Sequence, residues 1–151
     1  MSFIQRFEVA VTTIADGSAT AYTPNFTGKL SQIRYVKTDY AAGVDFAITS
    51  EATGETIWTQ ADVNASATVA PRQATHSTAG VAALYAGGGT AVLEPICIAK
   101  DRIKIVIAQG GDTKTGTFHF LVESKMRTVR GKGLSELNDY LQKLPLRIEK
   151  N

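Results

Sequence analysis

A single cysteine occurs in the 151 residues, so no intrachain disulfide can form. A chain of this length can bury a core without such a staple. Cys97 stands in the apolar run Pro-Ile-Cys-Ile-Ala, where a small buried core residue is expected rather than a nucleophile. No apolar run approaches the ~18 residues that a bilayer span requires, and no basic segment leads into a signal-like core. The expectation is a soluble protein made in a reducing cytoplasm. An excess of either charge is also lacking: the formal net value is +2, too near balance to point to nucleic acid. The two histidines, His76 and His119, have no second histidine, cysteine or carboxylate at metal-ligand spacing. There is no Gly-x-Ser-x-Gly elbow, and Gly87-Gly88-Gly89-Thr90 lacks the lysine of a phosphate loop. Asp16, Asp45 and Asp112 lie in or near turns without the ladder of a calcium loop. No catalytic residue, cofactor or metal is expected, and a hydrolase built on His119 or His76 is the weakest of the functional classes considered.

What is present is alternation. In Arg102–Val122, Ile103, Ile105 and Ile107 alternate with Lys104, Val106 and Ala108, and Phe118, Phe120 and Val122 alternate with Thr117, His119 and Leu121. Period two in β-branched and aromatic residues marks strands with one face in a core. Gln-Gly-Gly-Asp-Thr-Lys-Thr-Gly between them is turn chemistry, so the two runs are expected to pair as a central antiparallel hairpin. His119 falls on the face opposite Phe118 and Phe120, where a satisfied strand histidine is expected. Further strands are read at Phe7/Val9/Val11, at Leu30–Lys37 with Ile33 and Tyr35 on one face, at Val44/Phe46/Ile48, and at Thr56–Thr59. Short strands separated by turn signals predict a mainly β fold, an antiparallel β-sandwich of jelly-roll-like kind.

The middle, 61–90, is rich in Ala, Thr, Ser and Gly, with Pro71–Gly80 a long extended loop within it; a weakly patterned loop of this length is expected either to drape over a neighbouring subunit or to be an ordinary surface excursion. The C-terminal part differs in kind. Residues 1–122 carry nine Lys+Arg against ten Asp+Glu, whereas 123–151 carry seven against four. Leu134, Leu137, Leu141, Leu144 and Ile148 fall at helical spacing, which predicts a short amphipathic helix that needs a surface to bury its leucines. The division is therefore a β-sandwich domain over 1–122, a basic linker over 123–132 and a helical tail over 133–151. Lys125, Arg127, Arg130 and Lys132 make the linker basic, but with no aromatic residues interleaved a solvated linker is expected rather than a phosphate-binding one.

Two resemblances follow from these residues. Phe7–Val11, Asp45–Thr49, Thr56-Ile57-Trp58, Ala70–His76 and Arg102–Gly111 together resemble a family of small proteins from the head-gene clusters of tailed bacteriophages and prophages. Met126–Gly131, Gly133–Leu137, Leu141–Pro145 and Arg147–Lys150 are similar to the beginning of phage neck or tail-completion proteins, with the rest of that domain missing. The resemblance implies a non-enzymatic virion protein acting at the head–tail junction, present in the virion and, during assembly, in the host cytoplasm. Its implied partners are copies of itself, as a homo-oligomer, and other virion proteins such as capsid, portal or connector, and tail-completion proteins; membrane and nucleic acid are not expected. The candidate contact residues are Pro71, Arg72, Gln73, His76, Leu134, Leu137, Leu141 and Leu144. A capsid-decorating protein is the first alternative. A carbohydrate-binding module, with Trp58, Tyr35 or Tyr40 as the sugar platform, is the second.

Overall fold

The computed structural model describes residues 1–125 and 141–143. The described part is mainly β. Its strands are β1 (Ser2–Thr12), β2 (Ala19–Tyr22), β3 (Phe26–Lys37), β4 (Val44–Ser50), β5 (Thr56–Val63), β6 (Ala67–Val69), β7 (Arg72–Ala74), β8 (Leu93–Asp101), β9 (Ile103–Ala108) and β10 (Thr115–Lys125). They form two antiparallel sheets. One has the order β1-β10-β3-β8-β7, with β6 also on β3; the other has the order β2-β9-β4-β5. β3 is long enough to serve β8 along Phe26–Leu30 and β6 along Ile33–Tyr35, on the edge away from β10.

The alternation seen in the sequence sets the core. Val11, Ile33, Tyr35, Val44, Phe46, Ile48, Ile103, Ile105, Ile107, Phe118, Phe120 and Val122 are all buried, and their strand neighbours point away. Aromatic rings tie the two sheets together. Phe46 on β4 stands edge-on to Tyr35 of β3 at 4.6 Å and to Phe118 of β10 at 5.1 Å, with Trp58 of β5 beside it at 5.7 Å. Such edge-to-face pairs contribute about 0.5–1.5 kcal/mol each beyond their buried area. The strand after Ala15–Ser18, β2, leaves no signal in the sequence because its four residues are too short for a period.

The expected hairpin does not form. β9 lies between β2 and β4, whereas β10 lies between β1 and β3 in the other sheet. Each strand is central, as its apolar second face predicts, but the loop between them crosses from sheet to sheet. The reason lies in that loop's hydrogen bonds. The Thr13 amide donates to the Lys114 carbonyl at 2.8 Å and the Thr13 hydroxyl to the Gly111 carbonyl at 2.5 Å. The Gly110 amide donates to the Gly17 carbonyl at 2.8 Å, and the Ala41 amide to the Gly110 carbonyl at 2.9 Å. Gln109, Gly111 and Thr113 all take positive φ, so the segment turns sharply at a corner instead of folding flat. A matching corner joins β8 to β9: Arg102 pairs with Glu51 through two nitrogens and lies 4.0 Å over the Tyr22 ring. There the Thr23 hydroxyl accepts from the Ile103 amide at 2.9 Å.

Three other expectations are corrected. Cys97 is exposed; period two buries Ile96 and Ile98 and turns the thiol outward. The segment read as a long loop holds β6 and β7 and two isolated bridges, His76↔Ala82 and Leu84↔Ala91. The strand read as ending at Val122 continues to Lys125, so the first three residues of the expected linker belong to β10. The rest of the linker and, apart from 141–143, the helical tail lie outside the described residues.

Candidate contact surfaces

At one end of the six-stranded sheet, β7 pairs with β8 through Arg72↔Pro95, Gln73↔Glu94 and Ala74↔Leu93. Beyond Ala74 the chain builds a flap of two successive tight hairpins. The Thr75 amide donates to the Val92 carbonyl at 2.9 Å, which continues the β7–β8 ladder for one step. The Ser77 amide then donates to the Val81 carbonyl at 2.9 Å, around Gly80 at φ +74°. Ala83 sits between the two outer segments: its amide donates to Thr75 and its carbonyl accepts from Val92, both at 2.9 Å. The Tyr85 amide donates to the Thr90 carbonyl at 3.0 Å and closes the second hairpin around Gly88. The flap therefore spends its backbone hydrogen bonds internally, while its large side chains face outward: Val81 is 65%, Leu84 43%, Tyr85 77% and the adjoining Leu93 54% exposed. From Gln73 to Leu93 there are 21 residues without one Asp, Glu, Lys or Arg. Large apolar side chains grouped on an uncharged exposed segment make it a candidate contact surface.

At the other end of the same sheet, β1 is the edge strand and pairs only with β10 among the described strands. Phe3 and Ile4 are exposed on it, and the side chains from Met1 to Gln5 carry no charge. An edge strand presents a row of unpaired backbone donors and acceptors along with its side chains.

Between these edges, the outer face of the sheet is polar. The register lines up Glu8, His119, Arg34 and Thr68 across β1, β10, β3 and β6. The Arg34 guanidinium donates to the Thr68 hydroxyl at 2.8 Å. His119 departs from the satisfied strand histidine that the sequence suggests. Its Nδ1 is buried without a hydrogen-bond partner, and Glu8 Oε2, 3.8 Å away, is too far to be one. Arg6, Gln32 and Leu121 form the next row, and the depression shared with Val36 holds about 250 Å³. Besides His119 this depression is lined by Arg6, Gln32, Arg34, Val36 and Leu121, and His76 stands apart on the flap.

The candidate contact residues from the sequence fare unevenly. Pro71 is buried, so it offers no surface. Arg72 is exposed but donates to the Ser31 and Pro71 carbonyls at 3.1 and 2.8 Å, and Gln73 donates to Glu94 at 3.2 Å. Both are tied to their own sheet. His76 is exposed at the base of the flap, and Leu141 is exposed; Leu134, Leu137 and Leu144 lie outside the described residues. Sequence reasoning passes over Val81, Leu84, Tyr85 and Leu93, although the long charge-free interval around them is there to be seen. Of the three aromatics named for a sugar platform, Tyr35 and Tyr40 are buried and offer no surface, while Trp58 is half-buried with its indole Nε1 donating to Gln60 at 3.2 Å.

Among the described residues, no three of His, Cys, Asp and Glu stand together as metal ligands, and no helix is long and apolar enough to cross a membrane. The fold and these surfaces define a mainly β protein of two antiparallel sheets that carries an uncharged apolar flap at one sheet edge. No protein-family model matches the chain, and no curated protein is significantly similar to it.

Proposed function

We propose that this chain is a non-enzymatic structural protein of a tailed-phage virion, in which a jelly-roll β-sandwich holds subunits together at the head–tail junction. The observation that carries this reading is the flap, with its exposed Val81, Leu84 and Tyr85 and its lack of charge. The strand order supports it. Eight strands run β1-β10-β3-β8 in one sheet and β2-β9-β4-β5 in the other, the order of a jelly roll, with β6, β7 and the flap inserted before β8. Jelly rolls recur in viral capsid and lectin domains, and a shell protein needs a stiff body with contact elements on its rim. The aromatic cluster of Tyr35, Phe46 and Phe118 supplies the stiffness. In this proposal the tail helix over 133–151 gives a second apolar contact. Mass spectrometry of purified particles from the encoding host tests the reading. Peptides from this chain in DNA-filled particles are expected, and their absence would overturn it. Capsid decoration is the second reading and rests on the β body and flap alone. Copy number separates the two: a single ring's worth of chains per particle fits the neck, hundreds fit decoration.

A further inference from the structure

We propose that the depression on the outer face of the six-stranded sheet binds a carboxylate carried on a short aliphatic body, held between the guanidiniums of Arg6 and Arg34. This goes beyond the structural reading above and does not rest on it.

The register brings the donors together. Arg6 on β1 lies opposite Leu121 and Gln32, and Arg34 on β3 lies one row further along, opposite His119. Neighbouring strands stand about 4.8 Å apart, so the two arginines rise from strands about 10 Å apart with β10 between them. Both line the same depression, and no carboxylate lines it with them. Their hydrogen-bonding capacity is largely unspent. Among the described residues, neither the Arg6 guanidinium nor the Gln32 amide has a side-chain hydrogen bond or ion pair. Arg34 gives one nitrogen to Thr68 and keeps the rest of its fork. His119, in the same wall, has a buried nitrogen that its own sheet leaves unpaired.

The other two lining residues set the shape of the ligand. Val36 and Leu121 are half-buried and apolar, a floor for a few methylene groups beside the donors. A volume of about 250 Å³ lies below the ~300–1,000 Å³ of pockets that take drug-sized ligands, so the occupant is small. A guanidinium fork matches carboxylate and phosphate alike. Charge favours the carboxylate: Glu8 and Glu123 stand on the flanking rows, with Lys29 opposite Glu123, which leaves little positive charge for a dianion. The carboxylate comes from a free acid or from a glutamate side chain of another protein, and the same chemistry serves both.

The test titrates the full isotope-labelled chain with butyrate and follows the arginine side-chain and backbone amide resonances by NMR. Saturable shifts confined to β1, β10 and β3 around Arg6, His119 and Arg34 are expected. Butanol is expected to leave them unmoved, and acetate, which has no body to lay on Leu121 and Val36, to bind more weakly. Arg6→Gln and Arg34→Gln are each expected to weaken butyrate roughly tenfold, the loss of one charge-assisted pair. Lys100→Gln, which removes a positive charge outside the depression, is expected to leave the affinity unchanged. Glu8→Gln is expected to tighten binding severalfold, because a repelling carboxylate is gone. Backbone shifts elsewhere in the same spectra report that each variant keeps the fold. A capped tripeptide with a central glutamate separates the sources: the same shifts admit a protein side chain, and shifts with butyrate alone assign a free acid. Failure of both probes to saturate overturns the site. Equal weakening by Lys100→Gln and the arginine variants, or none by either arginine variant, overturns it as well.

Discussion

The inner faces of the two sheets and the flap are built from opposite materials. Between the sheets, Phe46, Phe118 and Tyr35 are removed from water together with Ile33, Ile48, Ile105 and Ile107, each ring held by others within 4.6 to 5.7 Å. In the flap, small residues carry the backbone through two tight turns and the few large side chains stand in solvent. The same kind of side chain has different consequences in the two places. Tyr35 commits its apolar surface to the protein's own stability; Tyr85 leaves the same surface open to whatever touches it. On the proposed reading, stability and association are carried by separate residues, and each can be changed with little effect on the other.

The sharpest way to break that comparison is to remove a ring from the inner side. Phe118→Ala empties the meeting point of Tyr35, Phe46 and Phe120, and is expected to lower unfolding free energy by about 3–5 kcal/mol, measured by urea denaturation. A loss under about 1 kcal/mol would mean that the two sheets are not closed on this cluster. Gly116→Ala comes next. A Cβ there would strike the rings of Tyr40 and Tyr35, so overpacking by one methyl is expected to cost about 1–3 kcal/mol. Tyr40→Phe at the same spot removes the hydroxyl that donates to the Val11 carbonyl at 2.5 Å, and is expected to cost about 1 kcal/mol.

These inner positions are legible in the amino-acid order because strand periodicity is local: Ile33, Phe46, Ile105 and Phe120 each announce their face through residues two away. Pairing is not local. The β9 and β10 runs carry every sign of a hairpin, yet the residues that part them, Thr13 and Gly17, lie far earlier in the chain; Thr13 and Gly111 are 98 positions apart. Cys97 is misjudged by counting apolar neighbours rather than applying the period that its flanking isoleucines already display. The flap, read only as part of a loose loop, hides its form for a different reason. Its bridges join two or three residues at a time through Ala, Thr and Gly, and such short pairings leave no period to detect. What marks it is an absence, the missing charges, and absences are easily read as looseness.

Smaller effects come from polar groups at the margins of the core. The Tyr35 hydroxyl is buried without a hydrogen-bond partner, and burial pushes its phenol up to about 12. Because the folded-state value lies above the ordinary 10.0, the stability held by the neutral phenol is complete below pH 10 and is lost as the pH rises through about 12. Tyr35→Phe is expected to leave stability at neutral pH unchanged or raise it by about 1 kcal/mol, and to flatten the alkaline limb of a melting-temperature profile. Acid acts at the β8–β9 corner with the opposite sign. Asp101 accepts from the Ser50 hydroxyl and from the Arg102 and Ala52 amides, which holds its carboxyl below the ordinary 3.8. Its contribution is present above that value and fades as the pH falls below it. Asp101→Asn should therefore melt below wild type at neutral pH, with the two curves converging in acid.

The smallest expected effect decides whether the two regions are independent. Tyr85 is 77% exposed, and its backbone bond to Thr90 does not involve the side chain. At concentrations where the chain is monomeric, Tyr85→Ala is expected to change unfolding free energy by less than about 0.5 kcal/mol, as surface substitutions generally do. A larger loss would mean that the ring packs on its own molecule, and the flap would then belong to the fold. Within that limit, the same substitution in the wild-type chain should weaken assembly without altering the unfolding of the monomer. Only a side chain exposed in the monomer and covered in the assembly behaves in that way, so measuring one variant by unfolding and by assembly separates a contact residue from a structural one.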